Sequence, residues 1–256
     1  MTLQSTFQQA VNHYLQTYKY PYIDLRSVFF DMDGVLFDSM PYHADAWCKT
    51  LQAYGLNFSR EEAYLHEGRT GAGTINIVCK RQWNREASPK EIQTIYSKKT
   101  IEFNKHPLAQ PISGINELLS KIKNMELTAS VVTGSGQSSL LKRLEDNFPG
   151  IFCSELMITA FDVKYGKPNP EPYLMALAKG NRKAHEAIIV ENAPLGIEAG
   201  TKAGIFTIAV NTGLLADSVL TDAGANLLFP SVQALADAWE DLYAVFTERI
   251  NNEPIK

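Results

Sequence analysis

Four short apolar runs, with helical patterns spaced between them, constrain the fold of this chain more than any other feature. They are Val28-Phe29-Phe30, Ala129-Ser130-Val131-Val132, Ala187-Ile188-Ile189-Val190 and Phe206-Thr207-Ile208-Ala209-Val210. Runs this short, with no polar alternation, suit strands buried on both faces, as in a parallel sheet. The intervening segments 115–124, 138–147, 171–179 and 193–203 repeat apolar residues at helical spacing. Strand alternating with helix predicts an α/β fold: a doubly wound parallel sheet covered on both sides. Ligands of such sheets bind beyond the carboxyl ends of the strands. Three of the runs lead into polar residues there, namely Asp31, Thr133 and Glu191.

Between Pro41 and Pro107 the strand-like runs stop and only helical periodicity remains. Ala44, Trp47, Leu51 and Tyr54 share one face, ended by Gly55, and further helices are expected at 60–65, 74–82 and 89–103. The pattern predicts a helical cap over 41–107, inserted after the first strand, with a core made of 21–40 and 108–256. Residues 1–20 form a separate amphipathic helix that Pro21 ends, and Val232, Leu235, Trp239, Leu242 and Phe246 mark a helical C-terminal segment. A chain of 256 residues, 45% hydrophobic, can bury one large core and a smaller one.

The nine residues Asp31-Met32-Asp33-Gly34-Val35-Leu36-Phe37-Asp38-Ser39 carry the strongest chemical signal. Two carboxylates leave the end of a buried strand, and a turn begun at Gly34 can give them different roles. One can bind a metal and attack phosphorus; the other can pass a proton to the leaving group and take one from water.

This segment resembles the first motif of the haloacid dehalogenase superfamily, and three further motifs follow in the family's order. Val131-Val132-Thr133-Gly134-Ser135-Gly136 is similar to the second, and Gly166-Lys167-Pro168-Asn169-Pro170-Glu171-Pro172-Tyr173 to the third. The stretch from Ile189 through Glu191-Asn192 to Gly200 is similar to the fourth. The resemblance implies a Rossmann-like core with Asp31 as nucleophile and Asp33 as general acid and base. Thr133, with Gly134 and Ser135, would hold the phosphoryl group, and Lys167 would neutralise charge on it. Family dehalogenases lack the second aspartate and need no metal, so Asp33 implies phosphoryl transfer with Mg2+. The implied ligands are the Asp31 carboxylate, the Asp33 carbonyl and the Asn192 side chain. Asn192 replaces the family's usual aspartate, and Glu191 is expected to compensate, directly or through its neighbours.

The stretch from Asp38 to Trp47 resembles the β-phosphoglucomutase-like branch, which implies a role for His43 near the leaving group. In place of that branch's basic cap segment stands His66-Glu67-Gly68-Arg69-Thr70-Gly71. Glu67 would repel a sugar phosphate but attract magnesium, adding back the charge that Asn192 removes. The combination resembles the inorganic pyrophosphatase subgroup, with Arg69 a contact to the leaving phosphate. The rival readings are a β-phosphoglucomutase, a sugar-phosphate phosphatase and a non-catalytic phosphate-binding relative.

Other signals are negative. Gly134-Ser135-Gly136 lacks the third glycine of a dinucleotide fingerprint, and 68–74 lacks the ending of a P-loop; both read as flexible loops. A net charge of −4 with no basic stripe argues against a nucleic-acid partner. Cys48, Cys79 and Cys153 form no metal or disulfide pattern. With no leader-like or membrane-length apolar segment, a cytoplasmic monomer acting on a small phosphorylated substrate is expected.

Overall fold

The computed structural model describes residues 3–136 and 140–248. Five strands form one parallel sheet: β1 (Ser27–Phe30), β2 (Thr128–Val131), β3 (Ala187–Glu191), β4 (Phe206–Val210) and β5 (Leu227–Phe229). The order is β2-β1-β3-β4-β5. The chain therefore leaves β1 in one direction to reach β2 and crosses back over it to reach β3. Such a reversal leaves a crevice above the carboxyl ends of the strands involved. Phe30 pairs with Val131 on one side and Val190 on the other, so Asp31, Thr133 and Glu191 emerge at nearly one level. β5 was not anticipated: a three-residue strand at the sheet edge is too short to stand out from its surroundings.

The helices are α1 (Leu3–Tyr18), α2 (Met40–Gln52), α3 (Arg60–Leu65), α4 (Gly71–Trp83), α5 (Pro89–Phe103), α6 (Ile115–Asn124), α7 (Leu140–Asn147), α8 (Glu171–Gly180), α9 (Pro194–Lys202), α10 (Asp217–Asp222), α11 (Val232–Asp237) and α12 (Trp239–Glu248). Positions 138 and 139, the start of one expected helix, lie outside the described residues, as do 249–256. The C-terminal helical segment is two helices, divided at Ala238. α10 also lacked a sequence signal.

α1 lays Phe7, Val11, Tyr14 and Leu15 into the main core. Burial of each such apolar side chain stabilises by roughly 1.5–3 kcal/mol. The Tyr14 ring meets Phe206 of β4 edge-on at 5.3 Å, and its hydroxyl donates to Gly204 O at 2.8 Å. The buried end of the ring therefore carries no unsatisfied polar group.

α2 to α5 carry a hydrophobic cluster of their own, including Trp47, Leu51, Ile75, Val78, Cys79 and Ile95. Two of these helices start where expected because each has a capping box, Ser59 with Glu62 and Ser88 with Glu91. α4 begins earlier than expected. Gly71 and Gly73 read as loop residues, yet Thr70 accepts a hydrogen bond from Gly73 N at 3.2 Å and caps a helix starting at Gly71. No helix among the described residues is long and apolar enough to cross a membrane.

Candidate active site

Past β1 the chain turns sharply. Gly34 has φ +88°, a conformation that side-chain-bearing residues rarely adopt. A Cβ there would also lie 2.1 Å from Asn192 Nδ2. Gly34 N donates to Phe37 O at 2.8 Å, and Thr212 Oγ1 donates to Gly34 O at 2.6 Å. The turn sends Asp31 and Asp33 into different surroundings, although only one residue separates them.

Asp31 lies against Lys167. The Lys167 Nζ donates to Asp31 Oδ1 at 2.5 Å, Glu191 Oε1 at 2.7 Å and Val132 O at 2.9 Å. These contacts use all three ammonium protons and fix the side chain. The other Asp31 oxygen accepts from Asp33 N at 3.1 Å. Burial raises the Asp31 carboxyl, Lys167 pulls it back, and Glu191 and Asp33 help to leave it at about 7. Burial alone would lower Lys167, but Asp31 and Glu191 hold it well above the usual lysine range.

Asp33 faces the helical insert. Its Oδ1 accepts from Ser39 Oγ at 2.5 Å and lies 3.2 Å from His43 Nε2. Behind the imidazole, Lys99 Nζ is 2.7 Å from His43 Nδ1. An ammonium can only donate, so Nδ1 accepts and Nε2 carries the proton directed at Asp33. Burial opposes ionisation of Asp33, yet His43, Ser39 and Lys99 outweigh it and hold the carboxyl well below its usual range. Lys99 is itself drawn down to about 8 by burial, against the pull of Asp33. The two aspartates thus differ in their surroundings: one is paired to a fixed cation, the other to a chain of polar hydrogens.

Glu191 lies behind Lys167 and Asn192. Both of its oxygens are committed: Oε1 to Lys167 and the Tyr173 hydroxyl, Oε2 to Asn192 N at 2.9 Å and Ala193 N at 3.0 Å. Those four hydrogen bonds anchor Lys167 and fix the backbone that presents Asn192.

Glu67, just past α3, reaches across to the core. Asn192 Nδ2 donates to Glu67 Oε2 at 3.0 Å. The remaining oxygens, Glu67 Oε1 and Asn192 Oδ1, are buried without a protein partner among the described residues. Burial and the neighbouring Asp31, Glu191 and Asp33 push the Glu67 carboxyl well above its usual range, against the Asn192 hydrogen bond. Four buried acids, Asp31, Asp33, Glu67 and Glu191, thus gather with two buried ammoniums, Lys167 and Lys99. Two orphaned oxygens and a surplus of carboxylates are what a hard divalent cation such as Mg2+ would satisfy. Among the described residues no three His, Cys, Asp or Glu side chains group as a metal cluster. The implied set does not need one, because two of its ligands are an amide and a backbone carbonyl.

A cavity of about 70 Å³ lies between these groups. Asp31, Asp33, His43, Glu67, Arg69 and Lys99 line it, together with Thr133, Gly134 and Ser135. Thr133 Oγ1 accepts from Ser135 N at 3.0 Å, which shapes that loop. Gly134 sits where a Cβ would be 2.7 Å from Gly68 O, so the loop after β2 and the Glu67 loop touch through backbone. Arg69 Nε is buried and has no hydrogen-bond partner among the described residues. All the side chains singled out in the sequence therefore meet at one place, apart from the indirect role of Glu191.

The acid surplus has a measurable consequence. Asp31 and Glu67 hold protons more tightly in the folded chain than in the unfolded one, so without metal the folded state binds more protons. Stability should then fall as pH rises from about 4 through about 7, with Tm dropping on the order of 5 °C. Mg2+ should reverse the drop, because it competes with those protons. Thermal melts with and without Mg2+ across this range check both signs.

A family profile described as haloacid dehalogenase-like hydrolase matches residues 28–210. The chain belongs to that family. A solved structure from Bacteroides vulgatus, provisionally described as a β-phosphoglucomutase, is 58% identical. It covers 95% of this chain and 99% of its own, with a TM-score of 0.93. Hexitol phosphatase A of Escherichia coli is 30% identical over 71% of this chain and 81% of its own length. A pyrophosphatase of Oceanobacillus iheyensis is 24% identical, covering 87% of this chain and 100% of its own.

Within this member of the haloacid dehalogenase-like family, sequence reasoning missed Lys99 and Ser39 as site residues. Ser39 lies inside the first motif and was readable there as a hydroxyl close to Asp33. Lys99 gave no such signal: it reaches His43 from a helix 56 residues further on, through the packing of α5 against α2.

Proposed function

We propose that the chain is a Mg2+-dependent phosphohydrolase that works through an aspartyl-phosphate on Asp31 and cleaves inorganic pyrophosphate. The broader assignment, a phosphatase or phosphotransferase of the haloacid dehalogenase type, follows from the family, with every motif residue but Asn192 in its usual form. Bound magnesium would neutralise phosphoryl oxygens beside Asp31, with Asp31, the Asp33 carbonyl, Asn192 and Glu67 as its holders. Asp31 attacks phosphorus in line, while Lys167 keeps it oriented and offsets its charge. Asp33 gives a proton to the leaving group and later takes one from water, its carboxyl positioned by Ser39 and His43. Thr133 and the backbone at Gly134 and Ser135 hold the transferring group, and Arg69 meets the leaving phosphate. Approach of the Glu67 loop to the core excludes water.

The observation that carries the substrate choice is the buried Glu67–Asn192 contact. A carboxylate fills the place where a distal sugar phosphate would need a base, and the cavity it helps to close is small. A second reading, a sugar phosphate, is favoured by the three cationic or basic side chains His43, Arg69 and Lys99 in the same cavity. The hexitol phosphatase and the Bacteroides vulgatus protein point the same way.

Phosphate release from pyrophosphate, hexose phosphates, hexitol phosphates and nucleotides, compared under Mg2+, separates the two readings. The highest kcat/KM should belong to pyrophosphate, and a hexose or hexitol phosphate in that place would overturn the choice. Glu67→Gln keeps the shape of the contact and removes the charge. It should raise the Mg2+ concentration needed for half-maximal activity by about 10–100-fold. Its metal-free Tm should not fall.

A further inference from the structure

A second cavity, about 530 Å³, opens on the other side of the Glu67–Arg69 loop. Arg69 lines both cavities and so stands between them, while Lys167 lines the outer one and turns its ammonium inward to Asp31. The remaining charged residues in the outer wall are Lys164 and Lys202, and among the described residues no acidic side chain lines it. This is unusual for a chain with net charge −4. The nearest carboxylates are already engaged. Glu198 pairs with Lys202 at 3.0 Å, and both Glu171 oxygens accept from the backbone of Lys164 and Tyr165 at 2.9 Å. Lys164 has no carboxylate partner among the described residues; its ammonium lies 5.0 Å above the Tyr165 ring. α4 and α8 both begin at the rim, at Thr70 and Pro170, adding the positive ends of two helix dipoles. Between the two cavities, Arg69 Nε is buried and has no hydrogen-bond partner among the described residues.

We infer that this outer groove is a second anion site, built to receive inorganic phosphate as it leaves past Arg69. The inference rests on the proposed phosphohydrolase reading for its direction of travel, but not for the binding itself. When Asp31 takes one phosphoryl group, the departing phosphate is a free anion beside Asp33 and Glu67. Outward from there, the wall changes from acidic to basic. Arg69 can hand the anion from one side of the loop to the other, and Lys164 and Lys202 hold it on the far side. The Tyr165 and Asn169 side chains in the same wall supply uncharged hydrogen-bonding groups.

The test is calorimetric titration of inorganic phosphate into the full chain with a chelator present. Lys164 and Lys202 line the groove and not the inner cavity, so a difference between their variants and the unaltered chain isolates the groove. The unaltered chain should bind one phosphate. The double variant Lys164→Glu/Lys202→Gln should bind at least about tenfold more weakly, and Lys164→Glu alone should fall between. All three should melt alike, because both lysines are on the surface. Equal affinity in the double variant, or no binding to the unaltered chain, would overturn the proposal. Neither outcome depends on turnover, so the groove and the choice of pyrophosphate stand or fall separately.

Discussion

Asp31→Asn should abolish turnover, lowering kcat by on the order of 10⁴-fold or more, as loss of a nucleophile does elsewhere. An amide cannot attack phosphorus, and nothing else in the cavity lies in the same relation to Lys167 and Thr133. The variant should fold at least as well as the parent. Lys167 keeps Glu191 Oε1 and Val132 O as acceptors, and one of four crowded acids is removed. Metal-free Tm should therefore stay level or rise, most clearly above about pH 7, where Asp31 is ionised in the parent. A fall in Tm alongside the lost activity would show that the carboxylate is structural as well. Activity that survives would remove the nucleophile assignment altogether.

Lys167→Met should do the opposite to stability. Methionine matches the lysine stem but carries no charge, and it leaves Asp31 and Glu191 facing each other without the ammonium between them. Glu191 retains the Tyr173 hydroxyl and two backbone amides, whereas Asp31 retains only Asp33 N. Removing one member of a buried ion pair typically costs about 3–5 kcal/mol, or roughly 10 °C in Tm for a chain of this size. The loss has a sign in pH. The lysine stabilises the ionised acids, so the variant should approach the parent at low pH, where protons take over that task, and diverge from it above neutrality. Thermal melts of both chains at about pH 5 and about pH 8 read this difference. A deficit independent of pH would mean that packing of the stem, rather than charge, is what Lys167 supplies.

How much of this was legible in the sequence depended on the range of the signal. The strands around Asp31, Glu191 and Val210 announced themselves as unbroken apolar runs. α3 and α5 did so through Ser-x-x-Glu starts that satisfy backbone donors locally. β5 and α10 were too short to rise above their surroundings. The start of α4 was hidden because two glycines suggest a loop, whereas the Thr70 hydroxyl makes them a helix start. In the site, motif order pointed to Asp31, Asp33, Thr133 and Lys167, and the charge argument linked Glu67 with Asn192, whose side chains are hydrogen-bonded. Glu191 was legible as an acid of the site but not as a saturated one, since its partners come from Lys167, Tyr173 and the α9 entry. Lys99 could not be read at all, because its role exists only once α5 packs on α2.

The most direct measurement of the central claim is chemical trapping of the intermediate. Full-length protein is mixed with Mg2+ and the best substrate of the panel, quenched in acid within a turnover, and its peptides are mapped by mass. An Asp33→Asn variant is run beside it, because loss of the group that activates water should make the covalent species accumulate. The account predicts one phosphoryl group on the peptide carrying Asp31, enriched in the variant. Turnover with no covalent species, or a phosphoryl group on any other residue, would contradict it.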